Sequence, residues 1–186
     1  GVTRQLQQPF FVLATQNPIE HEGTYPLPEA QLDRFLIKVK MGYPEHEEEV
    51  EVLSRAQLQH PIENIQRVVE IEDILKLQKE VQSIFVNDSM KEYIVLLSNL
   101  TRKHDSTYLG VSPRGSIALM KASQAYALMS GRDYVVPDDI QYLAPFVFAH
   151  RIIMKPEARY SGMSTEDIVY DIIANTSVPI QRLVRK

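Results

Sequence analysis

The chain has 186 residues, of which 44% are hydrophobic, enough to bury a core in one domain or two small ones. Its formal net charge of -4 argues against nonspecific nucleic-acid binding, which needs a basic surface to displace counterions from phosphates; the absence of cysteine excludes disulfides, thiolate catalysis and Cys-ligated zinc. No apolar run approaches the roughly 20 residues of a membrane-spanning helix and no signal-peptide pattern is visible, so the expectation is a soluble, cytoplasmic protein.

The first informative segment is the apolar run Phe10-Phe11-Val12-Leu13-Ala14, whose length and composition predict a fully buried strand. It turns polar at Thr15-Gln16-Asn17 and is stopped by Pro18, a pattern that places Asn17 at the carboxyl edge of a sheet, where open α/β sheets bind ligands. Pro26 and Pro28 stiffen the following loop, a short helical turn is expected over residues 29–32, and Asp33-Arg34-Phe35 leads into a second predicted strand over residues 36–40. Gly42-Tyr43-Pro44 marks a domain boundary, giving residues 1–44 and 45–186.

Beyond it the periodicity is helical. Residues 45–58 carry acids in the first turns, suited to the helix dipole, with Val50, Leu53 and Leu58 as an apolar stripe. Residues 71–84 predict a second helix, with Val68-Val69 before it as a short strand. Asn87-Asp88-Ser89 caps a third helix running to about Lys103, with Ile94, Leu97 and Leu100 inward. Ser112 at the N-cap, Pro113 at N1 and Gly131 past the last turn bound a fourth helix; Pro137 opens a fifth, and Ser164 to about Asn175 is the last. The expected fold is an α/β remnant followed by a helical bundle, mostly helical overall.

Three residues stand out chemically. Asn17 reads either as a turn cap or as a ligand-facing amide, and Arg34 as a surface ion pair, for example with Glu29, or as a cation delivered to a surface by a braced loop. Arg114 falls at N2 of its helix, where a cation is disfavoured by roughly 0.3 to 1 kcal/mol, so it reads either as the partner of a nearby anionic ligand or as an arginine bent back into solvent or paired with an acid. Gly115 beside it would let a ligand approach the backbone. Met120, Tyr126 and Met129 have spacings that suit core packing, and His46-Glu47 lacks the second histidine of H-E-x-x-H because Val50 holds that position. Glu20-His21-Glu22 reads as a polar turn, and Arg182, Arg185 and Lys186 as a solvated basic tail.

The ATQNP strand ending, the block EGTYPLPEAQLDRF and the later VSPRGS together resemble, in order and spacing, the MoxR family of AAA+ ATPases over almost the whole chain. The resemblance implies the last strands of a P-loop AAA+ core followed by a helical lid. It implies sensor 1 at Asn17, an arginine finger at Arg34 acting on a neighbouring subunit's nucleotide, and sensor 2 at Arg114, with Asp33 orienting the finger loop. It also implies ATP and Mg²⁺ as cofactors, a homo-oligomeric ring, in family terms a hexamer, and work on client proteins with partners that carry a von Willebrand factor A domain. None of the 7 glycines is followed by lysine, so no G-x-x-x-x-G-K-[ST] is present, and no apolar run ends in Asp-Glu as a Walker B strand would. The expectation is therefore a fragment lacking the amino-terminal nucleotide-binding half and unable to hydrolyse ATP alone. The alternatives are a noncatalytic interaction module and a magnesium-chelatase-like motor subunit.

Overall fold

The structure is a computed structural model and describes residues 2–16, 27–58, 62 and 65–179. Helices dominate it, and among the described residues the only strand ladder is a two-stranded antiparallel sheet. The chain divides into two compact units, one made of Gly1–Val12 and Val39–Leu77, the other of Leu13–Lys38 and Gln78–Lys186. Among the described residues no helix is long and apolar enough to cross a membrane.

The first unit holds α2, His46–Leu58, and the start of α3, Ile71–Ser83. α2 is sustained by local electrostatics: Glu47, Glu48 and Glu49 lie in its first turn and Arg55 in its last, and Glu51 pairs with Arg55 one turn on. Val50 and Leu53 of its expected stripe are exposed. The run at residues 10–14 is also solvent-facing, with Phe11 79% exposed, and neither it, residues 36–40 nor Val68-Val69 forms a strand. The reason is lateral: a strand satisfies its backbone through a neighbouring strand, and the described residues supply no such strand to these segments.

The second unit contains the buried core. α4, Asp88–Lys103, starts where Asn87 caps it, its side chain accepting from Ser89 N at 3.1 Å. Its apolar face, Met90, Ile94 and Leu97, meets Leu119 of α5, Pro113–Met129, together with Ile140, Val147 and Phe148 of α6, Pro137–Phe148. Ile168, Val169 and Ile172 of α8, Thr165–Ala174, complete the cluster. Small residues on α5, among them Gly115, Ala118, Ala122 and Ala127, are buried and let its neighbours approach closely. Of the residues expected to pack, Met120 lies partly against the core and Tyr126 stacks on Tyr142 with centroids 5.1 Å apart, but Met129 points to solvent at the end of α5.

Two connections were not apparent from periodicity because they are too short to show one. β1, Thr107–Leu109, pairs antiparallel with β2, Ile153–Met154, and α7, Pro156–Tyr160, follows β2. The loop into α5 is fixed separately: Val111 N donates to Thr101 Oγ1 at 3.0 Å and Arg102 Nε to the Val111 carbonyl at 2.7 Å. Gly110 lies so close to Arg102 that a Cβ there would come within 2.6 Å of its backbone. The start of α5, and with it Arg114, is thus held to α4.

Candidate functional site

The segment around Arg34 is ordered by one turn of helix. In α1, Glu29–Leu32, the Pro28 carbonyl accepts from Gln31 N at 2.7 Å and Leu32 N at 3.1 Å. The turn is carried forward by Asp33 N to Glu29 O, Arg34 N to Gln31 O and Phe35 N to Leu32 O, at 3.0 to 3.1 Å. Lys38 N then donates to the Phe146 carbonyl at 2.9 Å, where α6 gives way to a 3₁₀ turn, Ala149–Arg151.

That turn delivers the residue that organises the site. The Arg151 side chain is only 2% exposed, and its Nε donates to Asp33 Oδ1 at 3.1 Å. Nη2 bonds the Asp33 carbonyl at 3.2 Å and the Phe35 carbonyl; Nη1 bonds the Leu36 carbonyl at 3.3 Å and the Val147 carbonyl. Burial pushes the guanidinium pKa down while the Asp33 charge and hydrogen bond pull it up, and with its acidic partner in place it stays a cation. His150 beside it is held neutral, its pKa lowered to about 4 first by burial and then by the Arg151 charge. Its Nε2 lies 2.8 Å from Arg151 Nη1 and 3.3 Å from the Phe35 carbonyl, and its buried Nδ1 has no partner among the described residues.

Arg114 reaches the same carboxylate from the other side, 3.7 Å from Asp33 Oδ2, with its side chain 58% exposed. Its helix begins at Ser112, but the Ser112 hydroxyl makes no cap bond and is buried without a partner among the described residues. Gly115 does not open a path to a ligand as expected. A Cβ there would overlap Val111 Cγ1 and come within 3.0 Å of Arg151 Cδ, so its bareness lets α5 close over Arg151.

Of the residues singled out from the sequence, Asn17 lies outside the described residues, as do Glu20-His21-Glu22 and the Arg182, Arg185 and Lys186 tail. Arg34 is exposed on its turn and makes no ion pair among the described residues, with Glu29 or any other acid. Asp33 is the common element: it immediately precedes Arg34, is gripped by Arg151 and faces Arg114. Sequence reasoning missed Arg151 and His150. Their signal was available, since two polar, titratable side chains inside Phe146-Val147-Phe148-Ala149-His150-Arg151-Ile152-Ile153 require buried partners. Two arginines on one carboxylate, with the exposed Arg34 next to it in the chain, leave an excess of positive charge that suits an anionic ligand such as phosphate.

The chain is similar to several known proteins and families. The sequence model of the AAA lid domain matches residues 99–172, and that of the ATPase family associated with various cellular activities (AAA) matches residues 1–37. The chain is 60% identical to the uncharacterized protein YeaC of Bacillus subtilis over 98% of its own length and 57% of the relative's. It is 37% identical to the chaperone MoxR1 of Mycobacterium tuberculosis, over 96% of the chain and 49% of the relative. A crystal structure of an ATPase from Cytophaga hutchinsonii superposes with a TM-score of 0.86 at 37% identity, covering 94% of this chain and 56% of that one. The chain spans about half the length of the curated relatives it matches.

Proposed function

Because the chain belongs to the MoxR family of AAA+ ATPases, we propose that it supplies the sensing and trans-acting parts of an ATPase whose hydrolysis drives chaperone-like remodelling or maturation of client proteins. The observation that carries this reading is Arg34: an exposed guanidinium, without an ion pair among the described residues, on a turn whose backbone is bonded on both sides of it. A cation so placed serves a partner surface better than its own fold. In a ring, that partner is the neighbouring subunit's ATP, where neutralising charge on the transferring phosphoryl group is worth roughly 10³ to 10⁵ in rate.

Arg114 fits the phosphate of ATP in the same terms. It is the more exposed and more loosely held of the two guanidiniums on Asp33, and it stands at the start of α5, where the helix dipole favours an anion. Asn17 is assigned to the attacking water and terminal phosphate. The chain has no phosphate-cradling G-x-x-x-x-G-K-[ST], so the main contacts to ATP and Mg²⁺ are assigned to sequence outside these 186 residues. Residues 1–44 then act as the end of the ATPase core and residues 45–186 as its lid, in a cytoplasmic hexameric ring working with von Willebrand factor A domain proteins.

Substitution of Arg34 tests this. In the full-length protein, Arg34→Ala is expected to remove most hydrolysis, about 10³-fold, while ATP binding is retained. Mixed rings with a subunit disabled in its own nucleotide site should regain activity, because that subunit lends its intact arginine to the Arg34→Ala subunit's intact site. Ring assembly and subunit exchange are verified first by light scattering. Normal turnover in Arg34→Ala, or mixed rings as inactive as both parents, would overturn the finger role and favour a noncatalytic interaction module.

A further inference from the structure

We infer that Arg151 is a positioning residue for Arg34, a buried clamp that sets where the finger points without itself touching nucleotide. The inference rests on the reading of Arg34 given above and adds the part of the fold that aims it. Arg151 bonds the carbonyls of Asp33, Phe35 and Leu36, that is, the residue before Arg34 and the two after it, and fixes the Asp33 side chain as well. The Arg34 side chain stays exposed. The clamp is rigid at its own root, because Nη1 also bonds the Val147 carbonyl in α6 and the start of α5 closes over the Arg151 stem at Gly115. Arg34 is thereby mounted on the helical bundle, so a shift of the bundle would be carried to the finger through one side chain.

Only a guanidinium can do this, since its planar fork presents several donors at once and an ammonium offers a single point from which to reach them. In the full-length protein, Arg151→Lys should lower kcat by about 10- to 100-fold, the scale of a small misplacement of a catalytic group, with ATP affinity unchanged. The double variant Arg34→Ala/Arg151→Lys should be no slower than Arg34→Ala, because the clamp acts only through the finger. Amide exchange over residues 34–38 should accelerate in Arg151→Lys.

A merely structural role predicts the opposite pattern, weakened ATP binding and losses that accumulate in the double variant; either result overturns the inference. Lost turnover in Arg34→Ala beside normal turnover in Arg151→Lys overturns it alone, whereas normal turnover in Arg34→Ala removes the finger reading itself. Should Arg151→Lys not fold, as judged by circular dichroism, Asp33→Asn carries the same comparison, since it keeps the carbonyl bonds and loses the charged anchor.

Discussion

A single missing methyl group decides how tightly Arg151 is enclosed. Gly115 lies within α5, where replacing glycine by alanine ordinarily gains about 1 kcal/mol of helix propensity. Here the added Cβ meets Val111, which is fully buried and branched and cannot swing aside, and it also presses on the Arg151 stem. Overpacking of this kind costs about 1 to 3 kcal/mol, so Gly115→Ala is expected to destabilise the protein, read as a lower midpoint in thermal unfolding. A raised midpoint would mean that α5 can retreat from Arg151. Arg114 illustrates the opposite situation at the same scale: its position at N2 is unfavourable for a cation, and Asp33 at 3.7 Å offsets only part of that because the contact is long and the arginine well exposed.

Among the elements, α6 packs against both α5 and α8, and its start depends on one buried acid. Asp139 is 2% exposed, accepts from both Arg132 Nη1 at 2.9 Å and Nη2 at 2.6 Å, and takes the Val136 N–H at 2.9 Å that would otherwise be left over at the helix start. The pairing raises the Arg132 pKa, its hydrogen bond to Asp139 being the main cause. Truncating one member of such a pair leaves the other without its partner, so Asp139→Ala should cost about 3 kcal/mol, measured by urea unfolding. The sequence placed Asp138 and Asp139 together in the first turn as dipole partners. Which of them is buried was not legible, because the answer comes from Arg132, in the turn before the helix, whose guanidinium meets Asp139 alone of the two.

At the level of the whole molecule, the buried histidine beside the clamp makes stability depend on pH. His150 titrates at about 4 when folded against 6.5 ordinarily, because burial and the Arg151 and Lys38 charges oppose a second cation there. Between those values the unfolded chain binds more protons than the folded one, so the contribution is intact above about pH 6.5 and is lost as pH falls toward about 4. The urea midpoint should therefore drop on acidification from about pH 7 to about pH 4.5, and His150→Gln should flatten that drop. An equal slope in both proteins would show that other groups govern the acid response.

The local elements were set by local chemistry. Asn87 before α4, Ser112-Pro113 before α5 and Ser164 before α8 mark helix starts because capping and the proline ring act within a few residues, and the stripe of α4 faces the core that its spacing implies. The three motifs near Asn17, Arg34 and Arg114 and the family they indicate were likewise legible, since their order along the chain is itself the signal. What needed the tertiary structure was every relation between distant residues. Residues 10–14 and 36–40 read as strands from composition, yet a strand exists only when a neighbour accepts its hydrogen bonds. Arg151 meets Asp33 across more than a hundred residues, and Gly115 is bare for the sake of that arginine rather than for a ligand. Such contacts leave no period or spacing in the chain, because they are chosen by which surfaces the packed helices bring together.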